Sequence, residues 1–413
     1  MKRRQFIGML LGTSLLAGGP VSLIRAAVRP GKVPKRLIVV FLRGGVDGLS
    51  IVVPYGDPEY VRGRPNIALA HPSQEGGVTD LNGQFGIHPA LGGLLPFWND
   101  KTLAFVHACG SPDSTRSHFD AQDFMETGIP GNKNVHDGWM NRLIGVMPDP
   151  TTPIKAINAG ATLPRIFQGP KPVANVALGP GSARHTYIDR PGVLELFSAL
   201  YAGDTALAKA YREGYSAHRQ IQLDLDKDLE APDNGAFEPK GFAGQAHQLG
   251  RLIDTDPEIR LAFLSVGGWD THVNQGASTG QLANNLTSLG EGLVQLCKGL
   301  GHSYQNTVTI VLSEFGRTVH ENGSHGTDHG HGNVMWLLGG PLKGGKILCK
   351  WPGLQPQNLF EARDLAVTTD FRAVIAGVLQ QHIGLEISAI QKVFPGFRTD
   401  GSLEPLIRTQ AES

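Results

Sequence analysis

The chain has 413 residues, 37 of them basic and 37 acidic, so its net charge is zero. That balance leaves no basic excess for a nucleic-acid footprint, and no nucleic-acid partner is expected. Charged residues make up 18% and glycines number 54, which describes a folded, loop-rich protein rather than a disordered one.

The chain opens on Lys2-Arg3-Arg4, followed by Gln5-Phe6-Ile7 and an apolar stretch to Leu16 that Gly8 and Gly12 dilute. Arg25-Ala26-Ala27 closes it. A basic start, a short apolar run and a small-residue exit are the parts of a secretory signal, and the arginine pair marks the twin-arginine type. An uncleaved membrane anchor is the competing reading, but the run falls short of the roughly 20 residues a span needs. Residues 1–27 are therefore expected to be a signal peptide read by the twin-arginine (Tat) export machinery. The product would be periplasmic or extracellular and would meet the membrane only during export. Residues 28–413 are expected to form a single domain.

Continuous apolar runs follow at residues 36–42, 102–107, 260–266, 307–312 and 334–338. Runs without alternation are strands buried on both faces, as in a parallel sheet. Between them, helical spacing covers 89–98, 118–127, 191–201, 205–229, 241–253, 280–299 and 369–379. The alternation predicts an α/β fold: a mostly parallel central sheet with helices on both faces. The Pro- and Gly-rich stretch 152–190 reads as an insertion or cap. Cys109, Cys297 and Cys349 cannot all pair, and buried thiols are the expected state, with one disulfide as the alternative.

Ligands of open α/β sheets bind beyond the carboxyl ends of the strands, so the residues after each strand carry the functional signal. The first strand is followed by Gly44-Gly45-Val46-Asp47, and the second by a loop holding Thr115, Arg116 and Ser117. The next two are followed by Gly268-Trp269-Asp270-Thr271-His272 and by Ser313-Glu314-Phe315-Gly316-Arg317. Asp328-His329-Gly330-His331-Gly332 leads into the last strand. Carboxylates and neutral imidazoles together are ligands for a divalent ion such as zinc, here Asp47, Asp270, His272, Glu314, Asp328, His329 and His331. Ser117, at a helix N-cap, is the candidate nucleophile, and Arg116 or Arg317 the candidate anion clamp. Each residue also has an ordinary structural reading. Asp47 and Ser117 can be plain caps, Glu314 and Arg317 a local ion pair, and the Asp-His-Gly-His loop an exposed polar turn.

At Phe41–Leu49, Arg116–Gln122, Gly268–His272, Ser313–Thr318 and Asp328–Asn333 the chain resembles the domain-of-unknown-function 1501 family. These are bacterial proteins, often Tat-exported, grouped with the alkaline-phosphatase-like superfamily. The resemblance implies a sheet holding one or two metal ions and a Ser or Thr that attacks phosphate or sulfate esters. By that likeness Asp47 matches the first metal-binding Asp, and Ser117, with Thr115 as alternative, the nucleophile. Asp270 and His272 match an Asp-and-His ligand pair, and His329 or His331 the last histidine ligand. Phe315 departs from the pattern, standing where a second ligand histidine is expected, which puts a two-metal centre in question. The expected function is a metal-dependent hydrolase of small anionic esters. A non-catalytic envelope binding or assembly protein on the same fold is the alternative.

Overall fold

The structure is a computed structural model that describes residues 34–147, 156–160, 162–178, 199–205, 208–209, 211–212, 241–399 and 404–408. The signal expected at 1–27 and the helices expected at 191–201 and 205–229 lie wholly or largely outside the described residues. The described residues, from Pro34 onward, belong to one compact unit.

Its centre is strand β1, Arg36–Leu42, in which every residue is buried. Leu37, Val39 and Phe41 point into one apolar cluster and Ile38, Val40 and Leu42 into another, so the run lacks alternation because both faces are covered. Two-residue strands β2 (Val52–Val53), β3 (Thr79–Asp80) and β4 (Gly86–Ile87) form a small separate sheet. The main sheet adds β5 (Leu103–Gly110), β6 (Ala156–Ala159), β7 (Ala174–Val176), β8 (Leu261–Val266) and β9 (Thr307–Ser313). It is completed by β10 (Asn333–Leu338), β11 (Lys346–Leu348) and β12 (Thr369–Asp370). The order is β11-β5-β10-β9-β1-β8-β6-β7, with β12 also on β5. The described part of 152–190 thus supplies β6 and β7 at the edge of the main sheet.

Pairing is parallel throughout the main sheet except at β10, which runs antiparallel to both β5 and β9. The sheet is therefore mixed and mostly parallel. The reversal places the segment before β10, rather than after it, at the edge where β5, β9, β1 and β8 end.

Helices Phe242–Thr255 and Gln281–Leu300 cover one face, and Trp139–Val146, Phe371–Val378 and Ile387–Val393 the other. The stretch expected to be one helix over 89–98 is a 3₁₀ segment, Pro89–Leu94, and a short α-helix, Leu95–Asn99, because Gly92 and Gly93 weaken a continuous α-helix there. All three cysteines are free thiols; Cys109 and Cys297 are buried. No helix among the described residues is long and apolar enough to cross a membrane.

Candidate metal centre

Five neighbouring strands deliver the site. After β5, Ser117 caps the helix His118–Thr127, whose first residue is His118. β8 is followed by Asp270 and His272, β9 by Glu314, and β10 is preceded by Asp328 and His329. β1 is followed by the turn Gly44-Gly45 at the centre. Gly45 has φ of +64°, and a side chain there would overlap the Phe315 ring, so only glycine lets this turn close over that ring.

His118, Asp270 and His329 each offer one ligand atom, and these atoms lie within 4.8 Å of one another. His272 joins them: its Nε2 is 3.0 Å from Asp270 Oδ1 and 3.0 Å from His329 Nε2. Three imidazoles therefore turn Nε2 toward one carboxylate, with His329 Nε2 3.3 Å from Oδ1 and His118 Nε2 3.5 Å from Oδ2. The opposite ring nitrogens are all engaged. Nδ1 of His118 donates to Glu314 Oε1 (2.9 Å), that of His272 to Asp328 Oδ1 (3.1 Å), and that of His329 to the Arg116 carbonyl (2.9 Å). Each of those partners can only accept, so in the neutral rings the proton sits on Nδ1 and the lone pair on Nε2. This is the outer-shell pattern of metal-binding histidines. It leaves lone pairs of His272, His329 and Asp270 facing each other at about hydrogen-bond distance, an arrangement that a cation relieves. The Nε2 of His118 is buried with no hydrogen-bond partner, which is the orphaned donor atom a metal would satisfy.

Electrostatics follow the geometry. The hydrogen bond to Glu314 raises the His118 pKa against the opposing effect of burial. Burial, with the neighbouring His118 and Arg317 charges, lowers that of His329. Burial pushes Asp270 upward, but the Arg317 guanidinium outweighs it and holds the carboxyl below its ordinary value. Glu314 is also held down despite burial, because His118, Gln122 (2.9 Å) and the Gly44 amide (2.9 Å) all donate to Oε1.

Several expected residues stand elsewhere. Asp47 is fully buried with its two oxygens on Arg64, Ser50 and Gln275, so the expected ligand is instead half of an internal ion pair. His331 packs against the Phe360 ring, with centroids 4.6 Å apart, outside the cluster. Glu314 and Asp328 meet the ligand histidines at Nδ1 rather than at Nε2. Neither arginine is a free anion clamp. Arg317 spends its donors on the carbonyls of Gly44, Gly45, Trp269 and Thr327, on Asp270 and, at 3.5 Å, on His272 Nε2. Arg116 commits Nε and Nη2 to Asp364 and Glu361. Ser117 is exposed, and its Oγ accepts a long 3.5 Å cap bond from the Asp120 amide. Phe315 is buried against the rings of His118 and His329, with centroids 5.0 Å from each. Sequence reasoning passed over His118 because the adjacent serine took the assigned role; its position at the head of a helix after a strand was the available signal. Arg64 and Gln275 carry no local signal at all.

Fold and site together define an α/β protein with a mixed, mostly parallel sheet and a histidine–carboxylate group at one edge. The chain belongs to the family described as protein of unknown function (DUF1501), which it matches over residues 34–394. No curated protein matches it. Among solved structures it is similar to the zinc complex of the C-terminal periplasmic domain of EptC from Escherichia coli. The identity is 12% and the TM-score 0.36, over 75% of this chain and 73% of that one. It is also similar to alkaline phosphatase from the Antarctic bacterium TAB5, at 10% identity and TM-score 0.34 over 77% and 95%. A third likeness is to the lipoteichoic acid synthase LtaP from Listeria monocytogenes, at 11% and TM-score 0.28 over 74% and 65%.

Proposed function

We propose that this chain is a Tat-exported, metal-dependent hydrolase of small phosphate or sulfate esters. The observation that carries the reading is the convergence of three Nε2 atoms on Asp270 with every Nδ1 already committed. Such N- and O-donors suit zinc or a similar divalent ion. His118, Asp270, His272 and His329 would hold it, and Glu314 and Asp328 would fix the rings of His118 and His272. When bound, the ion would serve as a Lewis acid toward the ester's anionic oxygens. Ser117, next to His118, is the proposed nucleophile; its long cap bond costs little to give up.

Elemental analysis of the purified protein tests the metal, and a panel of aryl phosphates and sulfates tests the reaction. The expected result is bound divalent metal, and turnover that Ser117→Ala reduces by orders of magnitude. Equal rates for wild type and Ser117→Ala would remove the serine from the reaction. A second reading, a non-catalytic envelope binding protein, draws on two observations: the Phe315 ring lies against two of the histidines, and both candidate anion clamps are already paired with carboxylates of the protein. Metal without turnover on any ester of the panel would favour it.

A further inference from the structure

Besides His118 at its helix head, the ligands come from two loops that are remote in sequence. Residues 267–280 carry Asp270 and His272, and residues 314–332 carry His329. Backbone bonds bring them together: the Thr327 amide donates to the Thr271 carbonyl (3.1 Å) and the Gln275 amide to the His325 carbonyl (2.9 Å). Beneath this seam lies a side chain that no part of the proposed reaction uses. The Gln275 carbonyl oxygen accepts from the hydroxyls of both Thr271 and Thr327, each at 2.8 Å. Its Nε2 donates at 2.8 Å to Asp47 Oδ2, which Arg64 in turn holds. Gln275, Asp47, Arg64 and Thr327 are 0% exposed and Thr271 is 1% exposed, so water replaces none of these bonds. Thr271 stands between Asp270 and His272, and Thr327 stands two residues before His329.

We infer that Gln275 is the positioning residue that sets the spacing of the metal ligands, joining the Asp270–His272 loop, the His329 loop and the Asp47–Arg64 pair through one amide. This rests on the metal reading of the site. The amide is the group the place demands: its oxygen takes two hydroxyl protons while its nitrogen gives one to a carboxylate. A carboxylate could not donate to Asp47, and an apolar side chain would leave two buried hydroxyls without their acceptor and take one of three donors from Asp47 Oδ2.

The test measures zinc affinity of the full chain by competition with a chromophoric chelator. It compares wild type, Asp270→Asn, Gln275→Met and the double variant Thr271→Val/Thr327→Val. Wild type should bind zinc and Asp270→Asn should lose most of that affinity. Gln275→Met and the valine pair should each weaken it about 10- to 100-fold, the range found for outer-shell changes. A purely structural role would lower the melting temperature of the metal-stripped protein in both variants and leave zinc affinity unchanged. That outcome, with Asp270→Asn still impaired, overturns the role of Gln275 and leaves the metal reading standing. Equal zinc uptake by wild type and Asp270→Asn overturns the metal reading and the Gln275 role together. If Gln275→Met does not fold, the valine pair decides alone, because valine keeps the shape of threonine and removes only the hydroxyl.

Discussion

At the scale of the residue, the site is made by what lies behind each ligand. Glu314 shows this most directly: one of its oxygens collects the Gly44 amide, the Gln122 amide and His118 Nδ1. Glu314→Gln keeps the volume but puts a neutral group behind His118. It should weaken zinc binding by roughly 10- to 100-fold with little loss of fold, as chelator competition and circular dichroism would show. Arg317 is the counterpart on the other side of the cluster, buried and bonded to Asp270 and to carbonyls from three loops. Arg317→Met would orphan those carbonyls and one carboxylate. Because the Asp270 carboxylate is 47% exposed, the cost should be roughly 2–3 kcal/mol, below the range for fully buried pairs. Guanidinium unfolding of the metal-stripped protein measures it.

At the scale of the element, direction matters more than composition. The apolar runs at 36–42 and 307–312 were legible as strands because both of their faces are buried, and helix His118–Thr127 was legible from its serine cap. The reversal of β10 was not, since an apolar run reads the same in either direction, and only its pairing with β5 and β9 settles it. The edge strands β6 and β7 are too short to stand out from a Pro- and Gly-rich stretch. In the site, the Asp-Thr-His and Asp-His-Gly-His segments were legible as polar residues at strand ends. The burial of Asp47 against Arg64 was not, because the partner is supplied by the fold rather than by spacing. Loop approach is also an element-scale property. A side chain at Gly326 would overlap the His272 backbone, so Gly326→Ala should force the two ligand loops apart. The expected cost is about 1–3 kcal/mol of stability together with weaker zinc retention, read by melting with and without zinc.

For the whole molecule, acid is the condition that separates the fold from the unfolded chain. His107 is fully buried, its Nε2 donating to the Val52 carbonyl (2.9 Å) and its Nδ1 accepting from the Ala108 amide (2.9 Å). His382 is buried with Nε2 on the Arg36 carbonyl at 3.0 Å. Burial lowers both to about 4, against 6.5 for a free imidazole. The unfolded chain therefore takes up protons at these residues first. Their contribution is complete above pH 6.5 and is lost as pH falls through 4, on the order of 3 kcal/mol per histidine. Denaturant midpoints should drop across that window, and a flat profile between pH 7 and 4.5 would contradict the burial of both rings.

The ligands His118, Asp270 and His329 are widely separated along the chain. A single ion gripping them would staple three distant stretches of polypeptide, closing long loops that an unfolding chain must otherwise leave open. Release of the ion and fraying of the sheet rim would then be one event. Protease nicking of the rim loops would report occupancy without any substrate.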